Sequence, residues 1–247
     1  MLILLFLPII AYCTQYYSDE DLMSETRKLN IQKYRLKTKE MLLFGFKSYL
    51  TNAYPYDELK PISCSGFDTL GNFSLTLIDA VDTLAVIEEL DLFQKFANLI
   101  KFVSFDINVN VSTFETSIRI VGGLVSSHLI ALEKINDYDG FLLDKAVIVA
   151  DKLLTAFDTD TGIPFGTVNL VYGVPPNETP VTCTACAGTY HLEFAWLSKL
   201  TGNQIYEITS LRSMRALYEY KTNIGLFGSH INLTSGYWVY ADSSIGG

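Results

Sequence analysis

The sequence predicts an all-α protein, a layered array of about seven helical segments joined by short β-hairpin-like loops. Along each segment, apolar residues recur every three or four positions, which is the spacing of one face of an α-helix. Several segments are apolar nearly all round, as is typical of helices buried between neighbours. Neither a linker nor a low-complexity stretch separates the segments.

The first helix is predicted over residues 24–50, since an acidic cluster suited to a helix start precedes it and Pro55 follows it. A second helix is predicted over 73–84, where Phe73, Leu77, Val81 and Leu84 share one face. The third and fourth are predicted over 92–105 and 114–132. The fourth carries an apolar stripe of Ile118, Val121, Val125, Leu129 and Leu132.

The second half of the chain continues the helical pattern. Three further helices are predicted over 142–157, 185–200 and 204–220, and β-like pieces over 167–172 and 236–240. The loops 61–71 and 159–166 are expected to form functional rims, because binding residues concentrate on connecting segments.

The composition excludes several classes of protein. The 247 residues are 49% hydrophobic and 18% charged, whereas a disordered chain needs low hydrophobicity and high charge. The net charge of −9 argues against nucleic acid as a partner, because basic residues supply most of that affinity. An anionic membrane surface is disfavoured for the same reason. Four cysteines are too few for a disulfide-built scaffold of this length.

The N-terminus predicts a secretory signal peptide over residues 1–13. The run from Leu2 to Ile10 is apolar, and the small residues Ala11 and Cys13 suit a cut after Cys13. The run is too short to cross a bilayer, although it lacks a preceding Lys or Arg and could instead be a buried N-terminal strand or helix. Four glycosylation sequons fit the secretory interpretation, at Asn72, Asn110, Asn177 and Asn232.

The fourth predicted helix carries a narrow polar stripe. Glu115 and Arg119 are four positions apart, so they share a face and can pair, and Gly122 and Ser126 extend that face. A charged stripe on a helix that is otherwise buried favours a face turned toward a cavity. An ordinary ion pair on a solvated edge fits the spacing equally well, and the sequence leaves both interpretations open.

Carboxylates interrupt two other apolar helices. Glu193 lies among apolar and aromatic residues, where an isolated buried carboxylate is costly unless it is partnered or functional. Alternatively, Glu193 packs at a helix end and reaches water. Asp79 and Asp82 share a helix face. Three helices therefore each present carboxylates that could converge on a sugar, as glycosidases require.

Other chemistries are less well supported. Cys183 and Cys186 form a C-x-x-C at a predicted helix start, but without the βαβ context of a thioredoxin-like site, so a local disulfide is favoured over a redox factor. Zinc would need more ligands than this pair and His191 provide. No metal site is predicted, because the acidic stretch 158–162 has its glycine at the wrong position for a calcium-binding EF-hand loop.

Several ordered motifs resemble the class I α-1,2-mannosidases of glycoside hydrolase family 47. The motifs cover residues 75–84, 114–124, 191–194 and 197–202. Two more stretches, 53–61 and 182–189, are similar to the ER degradation-enhancing α-mannosidase-like branch of that family. The resemblance extends from about residue 30 to the end of the chain.

The resemblance implies an (α/α)7 barrel and an inverting enzyme that trims mannose from N-glycans of misfolded glycoproteins in the ER lumen. By the motif match, Glu115 is the general acid, and Arg119 and Glu193 line the pocket for the cleaved mannose. The resemblance also implies a Ca²⁺ ion, but places its threonine ligand and the general base beyond Gly247. Residues 14–247 are thus expected to be a partial catalytic domain.

Partners follow from the same resemblance. High-mannose N-glycans on misfolded glycoproteins are the expected ligand, and an ER oxidoreductase is a further expected partner. A non-catalytic protein of the same fold, which binds mannose-rich glycans or their client proteins, is the alternative function.

Overall fold

The computed structural model describes residues 25–243, so the predicted signal peptide lies outside the described residues. The described residues divide into two compact units, with the boundary between Lys47 and Ser48. Within the described part of the chain, no helix combines the length and apolar character needed to cross a membrane.

Helices dominate the structure, which confirms the predicted all-α class. They are α1 (Glu25–Asn52), α2 (Leu75–Val86), α3 (Leu90–Ile100), α4 (Thr113–Glu115), a π-helical segment (Thr116–Val121), α5 (Gly122–Lys134), α6 (Phe141–Leu154), a 3₁₀ turn (Thr155–Phe157), α7 (Thr184–Gly188), α8 (His191–Thr201) and α9 (Ile205–Glu219). A helix lies at each of the seven predicted positions.

Two predicted helices have different bounds from those expected. Helix α3 ends at Ile100 rather than near Phe105, because its last turn tightens into i→i−3 bonds such as Phe102 N–H to the Leu99 carbonyl, 3.1 Å. The predicted helix over 185–200 is two helices, α7 and α8. At Gly188, the last residue of α7, a Cβ would lie 3.1 Å from the Leu217 side chain of α9, so the chain passes close to its neighbour there.

Short antiparallel strands connect the helices. They are β1 (Glu58–Lys60), β2 (Ser65–Phe67), β3 (Asn110–Ser112), β4 (Thr167–Asn169), β5 (Val181–Cys183), β6 (His230–Asn232) and β7 (Trp238–Tyr240). They pair as β1–β2, β3–β4 and β5–β6–β7. The β3–β4 pair places Ser112, the residue just before α4, opposite Thr167. The periodicity predicted only β4 and β7.

The core lies between the helices. Helix α2 buries its predicted apolar face against α3 and α5. Gly123 of α5 allows the close approach to α2, because a Cβ there would lie 2.8 Å from the carbonyl oxygen of Ile78. A second part of the core consists of aromatic rings with centroids 4.9 to 5.9 Å apart, from Phe157, Tyr190, Phe194 and Tyr206.

The predicted rim loop 61–71 is organised by a buried carboxylate that the sequence analysis did not single out. Asp57 is fully buried, and its two oxygens accept six backbone N–H groups at 2.9 to 3.2 Å. The donors are Thr69, Leu70, Gly71, Asn72, Phe73 and Leu75. This loop therefore winds around one side chain and leads into α2.

Candidate active site

The polar stripe lies on one continuous helical run, α4, the π-helical segment and α5. Ser112 caps the start of this run, since its hydroxyl oxygen accepts the Glu115 N–H at 3.2 Å. Thr113 ties the same turn to the second predicted rim loop, because its N–H donates to the Gly166 carbonyl and its hydroxyl to the Phe165 carbonyl, each at 2.9 Å. The end of loop 159–166 thus fixes the position of Glu115.

The π-helical turn was not predicted. Its wide ring is closed by the Gly122 N–H, which reaches back to the carbonyl of Ser117, five residues earlier. Such turns occur as single wide turns within α-helices and are frequent at functional sites. The turn lies between Glu115 and Gly122, so it sets the angle between the two halves of the stripe. Apolar periodicity gives no signal for it, because the buried face continues through the turn.

Arg119 connects two carboxylates on two helices. Its Nε donates to Glu115 Oε2 at 2.5 Å, and its Nη1 donates to Asp79 Oδ2 of α2 at 2.9 Å. The hydrogen bond to Glu115, followed by the bond to Asp79, raises the pKa of Arg119. The side chain of Arg119 is 43% exposed, that of Glu115 37% and that of Asp79 38%. The Glu115–Arg119 ion pair is thus formed and half-open to solvent, and Arg119 holds it to a second helix.

A second bond joins the same two helices one turn further on. Ser126 Oγ donates to Asp82 Oδ2 at 2.7 Å. Asp79 and Asp82 share a helix face, as their spacing predicted, and each contacts a member of the stripe: Arg119 of the π-helical segment and Ser126 of α5, respectively.

Glu193 of α8 lies against the stripe at Gly122. A Cβ at Gly122 would lie 3.5 Å from Glu193 Cγ, so the glycine leaves room for the carboxylate. Oε2 of Glu193 is buried and has no hydrogen-bond partner among the described residues. Burial raises the pKa of Glu193, which its own backbone N–H only partly offsets. This carboxyl group therefore holds a proton more readily than an ordinary glutamate does.

A cavity of about 360 Å³ opens beside Glu193. Gly122 and Ser126 line it from α5 and Trp196 from α8, and the rest of the wall is apolar, from Val125, Leu129, Ile130 and Leu192. The volume and the mixture of apolar wall with a few polar groups are those of a small-molecule site. The structure therefore brings Glu193 and two stripe residues to one cavity, with Arg119 and Glu115 on the preceding turns of the same helical run.

The described residues do not provide a cluster of carboxylates for the calcium ion that the family resemblance implies. Between residues 25 and 243, no cluster of three or more His, Cys, Asp or Glu side chains is placed to hold a metal. The three histidines lie apart, and each bonds a different hydroxyl group: His128 that of Tyr138, His191 that of Ser210 and His230 that of Ser229. No catalytic step is therefore assigned to a metal.

A family comparison decides what kind of protein carries this site. The sequence model of glycosyl hydrolase family 47 matches residues 41–247. The chain belongs to glycosyl hydrolase family 47. This family 47 chain is 49% identical over 220 residues to ER degradation-enhancing alpha-mannosidase-like protein 2 of Mus musculus, and 45% identical over 218 residues to alpha-mannosidase I MNS4 of Arabidopsis thaliana.

The two matches cover 86% of this family 47 chain but only 38% and 35% of the relatives' own lengths. The fold is similar to that of a solved structure, the alpha-1,2-mannosidase from Trichoderma reesei, with a TM-score of 0.78 and 26% sequence identity. That match covers 84% of this chain and 46% of the other. The predicted family and its helical barrel fold, of which the described residues form a portion, are confirmed.

Proposed function

We propose that this chain carries the proton-donor half of the active site of an inverting α-1,2-mannosidase, which trims mannose from N-glycans of misfolded glycoproteins in the ER. Membership of a glycosyl hydrolase family supports the reaction class. The observation that carries the proposal is the arrangement of Glu115, held by Arg119, on the same helical run as the cavity at Glu193.

Each carboxylate has a distinct role in this proposal. Glu115 protonates the oxygen of the departing sugar, directly or through a water molecule. Arg119 holds that carboxylate and is tied to Asp79, so it is a positioning residue that also borders the sugar. Glu193 uses its unpartnered oxygen to bind a hydroxyl group of the cleaved mannose in the cavity.

An inverting glycosidase needs a second carboxylate, about 6.5–9.5 Å from the first, to activate water on the opposite face of the sugar. The family resemblance places that general base, and the threonine that binds calcium, beyond Gly247. General acid–base assistance is worth about 10²–10⁴-fold in rate. The proposal for these residues is therefore limited to binding the glycan and donating the proton.

The proposed location is the ER lumen. The signal peptide over residues 1–13 and the four sequons carry this part of the proposal. Two acceptor side chains, Asn72 and Asn177, are exposed and lie at loop residues with positive φ. The side-chain oxygens of Asn110 and Asn232 accept hydrogen bonds, from Asn169 and from the backbone of residues 234–235, respectively.

The reaction is tested in a chimera in which the matched segment of this chain, 86% of its length, replaces the corresponding segment of the Arabidopsis alpha-mannosidase I. We expect the chimera to release mannose from a high-mannose glycan and Glu115→Gln to lower kcat by about 10²-fold or more, since glutamine cannot donate the proton. Asp106→Asn, an exposed carboxylate outside the site, is the matched control. Full activity of the Glu115→Gln chimera would refute the assignment of the acid.

A second candidate function is a non-catalytic protein that binds mannose-rich glycans or their clients. The cavity with its unpartnered Glu193 oxygen favours it, because a site can bind a sugar without a base. An inactive chimera that still binds glycan would favour this alternative. Mannose release by the 247 residues alone would show instead that the catalytic set is complete within them.

A further inference from the structure

A second cavity, of about 740 Å³, shares no lining residue with the cavity at Glu193 and has Cys183 in its wall. Cys183 and Cys186 are joined by a disulfide across the start of α7. One sulfur-bearing residue of the pair therefore borders an open space, and exposed disulfides are exchanged more readily than buried ones.

The bridge closes only a short loop, over a sequence separation of 3. The stabilisation that a disulfide provides grows with the length of the loop that it closes, so this one contributes less than a bridge across a long loop. Other bonds hold the two cysteines in place: the Thr184 N–H donates to the Ser229 carbonyl at 3.1 Å, and Ser213 Oγ donates to the Ala187 carbonyl at 2.6 Å. Opening the disulfide thus leaves the two residues in position.

The surroundings of Cys183 favour a thiolate at this sulfur. The Cys186 N–H donates to Cys183 Sγ at 2.9 Å, and a hydrogen bond to a charged sulfur is stronger than one to a neutral sulfur. His230 lies directly opposite Cys183 in the β5–β6 pair and lines the same cavity, so its side chain is a cross-strand neighbour. An imidazole N–H directed at this sulfur would stabilise a thiolate in the same way as the Cys186 N–H does.

We infer that Cys183 and Cys186 form an exchangeable dithiol–disulfide pair, which a protein dithiol reaches through the second cavity. A thiolate of the partner attacks Cys183 Sγ, the Cys183–Cys186 bond breaks, and the electron pair passes to Cys186 Sγ, which takes up a proton. The partner's second thiolate then attacks the mixed disulfide and releases the Cys183 thiolate. The pair is reduced by two electrons, and the partner dithiol is oxidised to a disulfide.

This inference is independent of the proposed glycosidase function, and so is its test. The full chain is prepared with Cys13→Ser and Cys64→Ser, which leaves only the pair. In this background Cys186→Ser retains Cys183 and Cys183→Ser retains Cys186. Both variants lack the bridge, so they lose the same covalent constraint and differ only in which sulfur remains.

Formation of a mixed disulfide with glutathione disulfide is followed by mass spectrometry under native conditions. We expect the variant that retains Cys183 to react about tenfold faster than the one that retains Cys186, and His230→Gln to slow it severalfold. Equal rates in the two variants would overturn the assignment of the exchanging sulfur.

The intact pair supplies the second measurement. With both cysteines present, dithiothreitol is expected to reduce the bridge and its oxidised form to restore it, while the far-UV circular dichroism of the helices stays unchanged. Loss of the helical signal on reduction, or reaction only at the rate of global unfolding, would show a purely structural disulfide and overturn the proposal.

Discussion

Asp57 and Glu193 are two carboxylates in the interior with opposite surroundings. Asp57 accepts six backbone N–H groups, and although burial would raise its pKa, the bonds from Gly71, Leu70 and their neighbours lower it below the usual value. Glu193 has a buried oxygen without a partner, and burial raises its pKa.

The difference separates a carboxylate that stabilises the fold from one that is available to a ligand. The six N–H groups that donate to Asp57 come from the end of the loop before α2 and from the first residue of α2, so its charge is balanced within the protein. The unpartnered oxygen of Glu193 costs folding free energy and remains open to a hydroxyl group of a ligand. Such a cost is tolerated where a site needs the group.

The largest expected effect that tests this comparison is at Asp57. Asp57→Asn leaves an amide group facing backbone donors and removes the charge that they stabilise; because an unsatisfied buried donor costs about 1–3 kcal/mol, we expect two poorly paired donors to lower the free energy of unfolding by about 3–5 kcal/mol. Asp68→Asn is the matched control. Asp68 accepts one backbone N–H, from Asp57 at 3.1 Å, and its loss should cost about 1 kcal/mol.

Urea denaturation of the two variants measures both values. A change at Asp57 as small as that at Asp68 would mean that the six bonds do not act together, and the contrast with Glu193 would fail.

The sequence pattern singled out Glu193 as a carboxylate in apolar surroundings but did not single out Asp57, and the reason is physical. Glu193 interrupts an apolar helix, and an interruption is visible in a periodic pattern. Asp57 is recognised only through the backbone of residues 69–75, whose N–H groups carry no signature in the side-chain sequence. The same holds for the π-helical turn at Thr116–Val121, which changes backbone bonding without changing the buried face.

Other elements were predictable because side chains alone determine them. Leu77, Val81 and Leu84 gave the buried face of α2, and the spacing of Glu115 and Arg119 gave their ion pair. The contacts of Asp79 with Arg119 and of Asp82 with Ser126 join different helices, so only the assembled fold shows them.

At Glu193 the comparison predicts that binding and stability change in opposite directions. Glu193→Gln removes the charge that burial disfavours, so the free energy of unfolding at neutral pH should stay the same or rise slightly. The same change replaces a charged acceptor, and we expect glycan affinity to fall about tenfold. Calorimetric titration of a high-mannose glycan and urea denaturation measure the two effects, with Glu207→Gln, an exposed residue of α9, as the control.

A stabilised variant with unchanged affinity would place the sugar elsewhere. A strongly destabilised variant would show that Glu193 has a structural partner like that of Asp57.

The smallest effects are those of pH, and their signs should differ between the two sites. The folded-state pKa of Asp57 lies below its ordinary value of 3.8, so its contribution is fully present above that pH and is lost as the pH falls through the folded-state value. The folded-state pKa of Glu193 lies above 4.5, so its burial penalty is present at neutral pH and is relieved as the pH falls toward 4.5. Unfolding free energies measured from neutral pH down to about pH 3 should therefore show the Glu193→Gln difference from wild type shrinking first, in mildly acidic solution. The Asp57→Asn difference should shrink only below about pH 4, and the reverse order would contradict the assignment of the two environments.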